Sequence, residues 1–230
     1  MEALKGIGSM ATRQVLQEIA GLWNSRREPK VSLESAGGVE VGKRVREGEA
    51  FDLVFLASDA LGQVAAEGKV DGDASFDLFR SEVVAAVRKG AQKPDISSVL
   101  AFKNALKAAK SIGYSTGPSG KALVALFEGW GIYGEIKDKM IVAPTGVPVG
   151  SLIAAGDVEF GFQQRSELIH VEGIEILGSL PGEAAIVTIF SGAVASGSKR
   201  KADAKAFLEF IVSPEARAAT LAEGLSPFSK

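Results

Sequence analysis

Short apolar runs alternating with amphipathic stretches of helical period constrain this chain more than any other feature, because that alternation is the signature of βαβ units on a mainly parallel sheet. Leu4 to Gly8 reads as a first strand. Met10 to Arg26 reads as a helix, since Val15, Leu16, Ile19, Leu22 and Trp23 recur at three- and four-residue spacing and form one apolar stripe. Val31 to Leu33 follows as a strand and Val39 to Arg46 as a helix ended by Gly48. The continuous apolar run Phe51 to Leu56 reads as a buried strand, with Ser58-Asp59 opening a helix through Ala66. The pattern restarts at Glu82, with strands at Val83 to Val87, Ser111 to Tyr114, Lys139 to Val142, Val158 to Phe162 and Ile174 to Leu177. Helices are expected between them at Ser97 to Lys110, Ser119 to Glu128 and Val147 to Ala155. A β-prone run, Ala184 to Val194, leads into C-terminal helices at Lys201 to Val212 and Pro214 to Glu223.

This order gives an α/β chain of two halves, joined around Arg80 and again around Ile189. The expected division is residues 1–80 plus 189–230 in one lobe and 81–188 in the other, with a ligand cleft between them. In open α/β sheets ligands sit beyond the carboxyl ends of the strands, so the strand-to-helix turns are where chemistry is sought.

Composition excludes several classes of function. With 46% apolar and 23% charged residues the chain is an ordinary globular one. Its 26 Lys plus Arg against 28 Asp plus Glu give a net charge of −2, without the clustered cations that nucleic-acid binding needs. The densest basic run, Ser198-Lys199-Arg200-Lys201, reads as a solvated helix start. Zero cysteines remove thiolate metal sites, iron–sulfur clusters and Cys nucleophiles. The single histidine, His170, rules out a His-cluster metal site and is read as structural. No metal and no cofactor are expected. No stretch approaches the roughly 18 apolar residues of a membrane helix, so membrane insertion is not expected. The N-terminus runs from Met1-Glu2-Ala3 into Leu4-Lys5-Gly6-Ile7 without the parts of an export signal. That points to the cytoplasm, or to the periplasm if the chain is a trimmed mature form.

Four turns share one chemistry. They are Gly6-Ile7-Gly8-Ser9-Met10, Glu34-Ser35-Ala36-Gly37-Gly38-Val39, Tyr114-Ser115-Thr116-Gly117-Pro118-Ser119-Gly120-Lys121, and Pro144-Thr145-Gly146-Val147. Each ends a strand and starts a helix, where unpaired N–H groups, the positive end of the helix dipole and nearby hydroxyls favour an anion. Ser9 and Ser119 could instead cap their own helices. A nucleotide phosphate site is not indicated: the residue five before Gly120 is Ser115 and Ala122 follows Lys121, so the P-loop pattern fails. Gly6, Gly8 and Ala11 form no dinucleotide fingerprint either.

At these turns the sequence resembles the molybdate-binding proteins of ABC transporters, members of the type 2 periplasmic binding protein superfamily. The likeness follows the element order through nearly the whole chain. It includes the first strand ending in Ser9, the segment Arg46 to Val54 before Ser58-Asp59, the Pro118-Ser119-Gly120 turn and Ser213-Pro214-Glu215-Ala216. The resemblance implies a two-lobed fold that binds a small anion and, if exported, works with an ABC transporter permease. Carried over by position, Ser9 matches the family's first oxyanion-binding Ser, and the second falls on Gly38, with Gly37 beside it. Ser119 and Val147 match backbone donors, and the family's ligand Tyr falls on Gln164. Ser115, Gln163 and Arg88 complete the candidate binding set, with Arg165 and Lys121 as further cations that could reach a carboxylate.

Two of these positions depart from the family. Gly38 removes a hydroxyl donor, and Gln164 replaces a phenol by an amide that carries an acceptor as well as a donor. An acceptor suits a ligand group bearing its own proton, so a small di- or tricarboxylate fits the departures better than molybdate. A second reading is a cofactor-independent isomerase of the aconitate isomerase kind on the same scaffold, with Glu34, Tyr114 and Lys121 as acid–base candidates. A third is an effector-sensing domain that reports ligand to another protein.

Overall fold

The computed structural model describes residues 2–144 and 146–228. In chain order its elements are β1 (Leu4–Ser9), α1 (Arg13–Arg26), β2 (Val31–Ala36), α2 (Gly38–Arg46), β3 (Leu53–Ala57), α3 (Ser58–Ala66), β4 (Val70–Arg88), α4 (Val99–Ala108), β5 (Ile112–Tyr114), α5 (Pro118–Gly129), α6 (Tyr133–Ile136), β6 (Met140–Val142), α7 (Val149–Ala155), β7 (Phe160–Gln164), α8 (Arg165–Leu168), β8 (Ile174–Ser179), β9 (Val187–Ala195), α9 (Lys201–Ile211), α10 (Pro214–Ala222) and β10 (Ser226–Pro227). The chain forms two compact units, Met1–Ser81 with Ile189–Lys230, and Glu82–Thr188.

In the first unit β1 pairs with β2 and β3 in parallel, and β9 closes on β3 in the antiparallel sense. Residues of β3 alternate between faces. Leu53 and Phe55 join the cluster of α1, α9 and α10, with Val15, Leu16, Ile19, Trp23, Phe207 and Leu208. Val54 and Leu56 join the cluster of α2 and α3, with Val41, Val45, Leu61 and Val64. Helices therefore cover both faces, which is why this strand reads as an unbroken apolar run rather than an alternating one. The basic run near residue 200 is partly tied down: Arg200 Nη2 donates to Asp52 Oδ2 at 2.6 Å and Ser198 Oγ to Asp52 Oδ1 at 2.6 Å. Burial pushes the Asp52 carboxyl up, but the bonds from Ser198, the Lys5 N–H and Arg200 outweigh it and hold it below its ordinary value.

In the second unit β5 pairs in parallel with β6 and β7, and the later half of β4 runs antiparallel to both β7 and β8. Val83, Ala85 and Val87 share an aromatic-rich cluster with Phe102, Phe127, Phe160 and Phe162. Val84 and Ala86 face Val149, Ile153 and Leu168 on the other side.

The largest departure from the periodicity reading is β4. Its first half, Asp71-Gly72-Asp73-Ala74-Ser75-Phe76-Asp77, carries few apolar residues and is mostly exposed, so it has no strand signature, yet it continues into Leu78, Phe79 and the buried run at Val83. Smaller differences lie at helix starts. Met10–Thr12 is a 3-10 turn before α1, and α7 begins at Val149 behind Pro148 rather than at Val147.

Candidate functional site

The parallel strands of the first unit end together, and their exits carry Ser9, Gly37 to Gly38, and Ser58. Gly8 pairs in register with Ser35 and Phe55, and Ser9 with Ala36. A Cβ placed on Gly38 would lie 4.0 Å from Ser9 Cβ and 3.9 Å from Leu56 Cδ2. The first and second turns are therefore neighbours, as the resemblance requires. Ser9 makes no side-chain cap to its helix. Thr12 Oγ1 donates to the Ser9 carbonyl at 3.0 Å, so any bond between the Ser9 and Thr12 hydroxyls must use the Ser9 proton, and at 3.4 Å it is long. That hydroxyl is loosely held and can turn to an anion.

The exit of β3, the strand paired with β1, carries a second polar group. Ser58 Oγ is 2.5 Å from Ser191 Oγ and 3.0 Å from Asp77 Oδ1, and Ser191 Oγ donates to Asp77 Oδ1 at 2.5 Å. These residues come from the start of α3, from β9 and from the polar half of β4.

In the second unit the third turn is held by a close approach. A Cβ on Gly120 would stand 1.7 Å from the Ser115 carbonyl oxygen, so only glycine fits. This packing places Ser115 Oγ 3.0 Å from Ser119 Oγ, with Ser119 buried in the first turn of α5. Two hydroxyls share two protons and one bond, which leaves one donor free beside the N-terminal N–H groups of α5.

The two glutamines of β7 have different surroundings because neighbouring strand residues face opposite ways. Gln163 is engaged at both ends: its Oε1 accepts the Val149 N–H at 2.8 Å and its Nε2 donates to Glu167 Oε1 at 2.8 Å. It fixes the head of α7 and positions Glu167, a supporting role rather than the ligand contact expected of it. Gln164 is 2% exposed and donates from Nε2 to Thr188 Oγ1 at 2.6 Å, while its Oε1 is buried without a partner. The N–H of Val147 is spent on the Pro144 carbonyl at 2.9 Å, so it is not the open backbone donor expected at the fourth turn. Thr145 of that turn lies outside the described residues.

Arg88 does not stand where a ligand-binding cation would. Because β4 is antiparallel to β7, Val83 stands opposite Gln164 and Val87 opposite Phe160. Arg88 thus falls at the far edge of the sheet, four or more residues and roughly 13 Å or more from the strand exits. Its guanidinium lies beside Gly156 at the C-terminal end of α7, where a cation suits the helix dipole. The acid–base candidates fare differently. Glu34 is paired with Arg44 at 3.0 Å, Tyr114 packs against the aromatic cluster, and Lys121 and Arg165 are exposed. His170 is exposed just after α8.

The carboxyl that stands out is Glu167, which sequence reasoning misses. It is half-buried, and desolvation pushes it up to about 7 against the lowering effect of the Gln163 amide. It stands only four residues along the chain from that amide, but its burial comes from the fold, and periodicity offers no signal for it. Among the described residues no group of three or more His, Asp or Glu side chains could hold a metal ion, and no helix is long and apolar enough to cross a membrane.

Hydroxyls and helix N-termini gathered at the exits of parallel strands, in two α/β units, suit a small anion, and the fold is that of periplasmic binding proteins. The chain belongs to the family described as Bacterial extracellular solute-binding protein, whose model matches residues 4–226. Over 99% of its length it is similar to a periplasmic molybdate-binding protein of Azotobacter vinelandii, covering all of that chain at 18% identity with a TM-score of 0.82. The sulfate-binding protein SubI of Mycobacterium tuberculosis H37Rv aligns with 100% of the chain and 88% of its own, at 17% identity and a TM-score of 0.83. At higher identity, 34% over 233 residues, the chain is similar to an aconitate isomerase of Pseudomonas sp, with 99% of this chain and 87% of that protein covered.

Proposed function

We propose that this protein binds a small organic di- or tricarboxylate, its carboxylates taken by the hydroxyl and N–H donors at the strand ends. The observation that carries this reading is the buried, unpartnered Oε1 of Gln164. Leaving such an acceptor unmet costs about 1–3 kcal/mol. A tetrahedral oxyanion that only accepts hydrogen bonds makes that worse, whereas an organic acid carrying a proton on a hydroxyl or carboxyl relieves it. Gly38 supports the same reading, because it offers no hydroxyl where a fully charged oxyanion needs one. In a transport role the loaded protein delivers its ligand to an ABC transporter permease.

A thermal-shift panel tests this, since a ligand that binds only the folded state raises its melting temperature. Citrate, isocitrate, malate and the aconitates are expected to stabilise the protein more than molybdate, tungstate, sulfate or phosphate. Stabilisation by molybdate or tungstate alone sinks the proposal. Gln164→Tyr, which replaces the acceptor-only carbonyl oxygen by a hydroxyl that can donate its own proton, is expected to shift the preference toward the inorganic oxyanions.

A second reading is favoured by one observation of its own, the Glu167 carboxyl raised to about 7. A group that is half protonated near neutral pH can serve as base and then as acid. A cofactor-independent isomerase needs that: one proton leaves the methylene carbon beside a carboxylate, the double bond shifts, and a proton returns at the other end of the allylic unit. The similarity to an aconitate isomerase supports this reading too. Interconversion of cis- and trans-aconitate by the purified chain, followed by chromatography and lost in Glu167→Gln, tests it. No turnover by the wild type rejects it while leaving the binding proposal standing.

A further inference from the structure

We infer that Ser58, Ser191 and Asp77 form a hydrogen-bond-accepting subsite in the first unit, and that the ligand is therefore a hydroxycarboxylic acid. The inference rests on the first reading above, that the chain binds an organic carboxylate.

Proton counting within the group leads there. Asp77 can only accept when ionised, and it takes the Ser191 proton at 2.5 Å. The 2.5 Å approach between Ser58 Oγ and Ser191 Oγ then has to use the Ser58 proton, and so does the alternative 3.0 Å bond from Ser58 to Asp77. Either way both hydroxyl protons are consumed inside the group, and Ser58 turns only lone pairs outward. A serine at the start of a helix beyond a strand reads as an anion donor, yet this one is converted into an acceptor by the carboxylate behind it.

Position makes this relevant to ligand. Ser191 lies in register with Leu56, and Leu56 is the side chain 3.9 Å from the Cβ position of Gly38, which in turn neighbours Ser9. Ser58 follows two residues later at the same strand exits. It is half-buried, Ser191 is 3% exposed and Asp77 is exposed. An organic acid whose carboxylate meets Ser9 needs a proton-bearing neighbour group to meet Ser58. An alcohol hydroxyl on the adjacent carbon has that proton at every physiological pH and tolerates the nearby Asp77 charge. A second carboxylate there would face repulsion from it.

Calorimetric titration with acids matched except for one hydroxyl provides the test: malate against succinate, and citrate against propane-1,2,3-tricarboxylate. The wild type is expected to prefer the hydroxylated member of each pair by tenfold or more, unchanged between pH 6 and pH 8. Asp77→Asn is expected to cut that preference to threefold or less, with the affinity for the unhydroxylated acid equal or higher. Ser58→Ala, which removes the outward-facing oxygen without altering charge, is expected to do the same and stands in if the Asp77 variant does not fold. Equal binding of both members of a pair by the wild type overturns the inference, as does an undiminished preference in both variants. Affinity for succinate that climbs steeply as pH falls overturns it too, because the proton read is then a carboxyl proton. Binding of no carboxylate at all is a different result: it rejects the parent reading.

Discussion

At the strand exits of the first unit the hydroxyls of Ser58 and Ser191 lean on a carboxylate, Asp77, whereas at those of the second the hydroxyls of Ser115 and Ser119 lean on each other. The amide of Gln164, by contrast, is left half satisfied. Residue type alone does not tell these cases apart: all four are serines. What sets their polarity toward a ligand is the partner behind them. A carboxylate absorbs protons and leaves acceptors facing outward, while a hydroxyl pair keeps one donor in reserve. The first unit thus offers an anion little beyond Ser9 and the helix N-termini, and the second offers both a donor and an acceptor.

The sharpest way to break this comparison is to remove the geometry that pairs Ser115 with Ser119. In Gly120→Ala the new methyl would meet the Ser115 carbonyl oxygen at 1.7 Å and its carbon at 2.8 Å, both backbone atoms that cannot swing aside. A loss of about 3 kcal/mol in urea unfolding is expected, at the upper end of overpacking costs, together with loss of ligand binding. Gly117→Ala is the control, since its methyl would find only Ser115 Oγ at 3.6 Å, an ordinary contact. A near-neutral Gly120→Ala would show that the third turn can relax and that its hydroxyl pairing carries no weight.

Much of this arrangement is legible in the sequence where it depends on neighbours along the chain. Ser9 can be read because strand, serine and helix are contiguous, and Gly120 because turn chemistry is local. Asp77 cannot, because it sits in a polar half-strand without periodicity and meets Ser191 across 114 residues of sequence. Arg88 goes to the wrong edge because the antiparallel direction of β4 is a tertiary fact that a run of apolar residues does not encode. The two glutamines look equivalent in sequence. The pleat separates them, sending Gln163 to the head of α7 and leaving Gln164 open.

A smaller effect sharpens the comparison from the first unit. Gly38→Ser restores a hydroxyl where only Leu56 and Ser9 carbons approach, at 3.9 and 4.0 Å, so the side chain enters without strain. A hydrogen bond to a charged ligand contributes about 1.5–3 kcal/mol, and roughly tenfold tighter molybdate binding, about 1.4 kcal/mol, is expected from this one change. The same variant should gain little for hydroxycarboxylic acids. If molybdate affinity does not move, the second turn is not a ligand contact, and the polarity of the first unit is set elsewhere.

The smallest expected effect concerns what supports the second unit. The Glu167 carboxyl is raised to about 7 from an ordinary value near 4.5, chiefly by desolvation. The folded state then holds its proton more tightly than the unfolded one, so folding is opposed wherever the carboxylate is charged. Below the unfolded value both states are protonated and the penalty is absent. It grows as pH rises toward 7 and levels off above that. Each tenfold tightening of the hold on the proton corresponds to about 1.4 kcal/mol, and partial exposure screens the total to a fraction. Glu167→Gln keeps an acceptor for the Gln163 amide without the charge. It is expected to raise the melting temperature by a few degrees at pH 8 and to leave it unchanged at pH 4. A stabilisation equal at both values would mean that the gain comes from packing, and that the carboxyl behind Gln163, unlike Asp77 behind Ser191, has no electrostatic part in its unit.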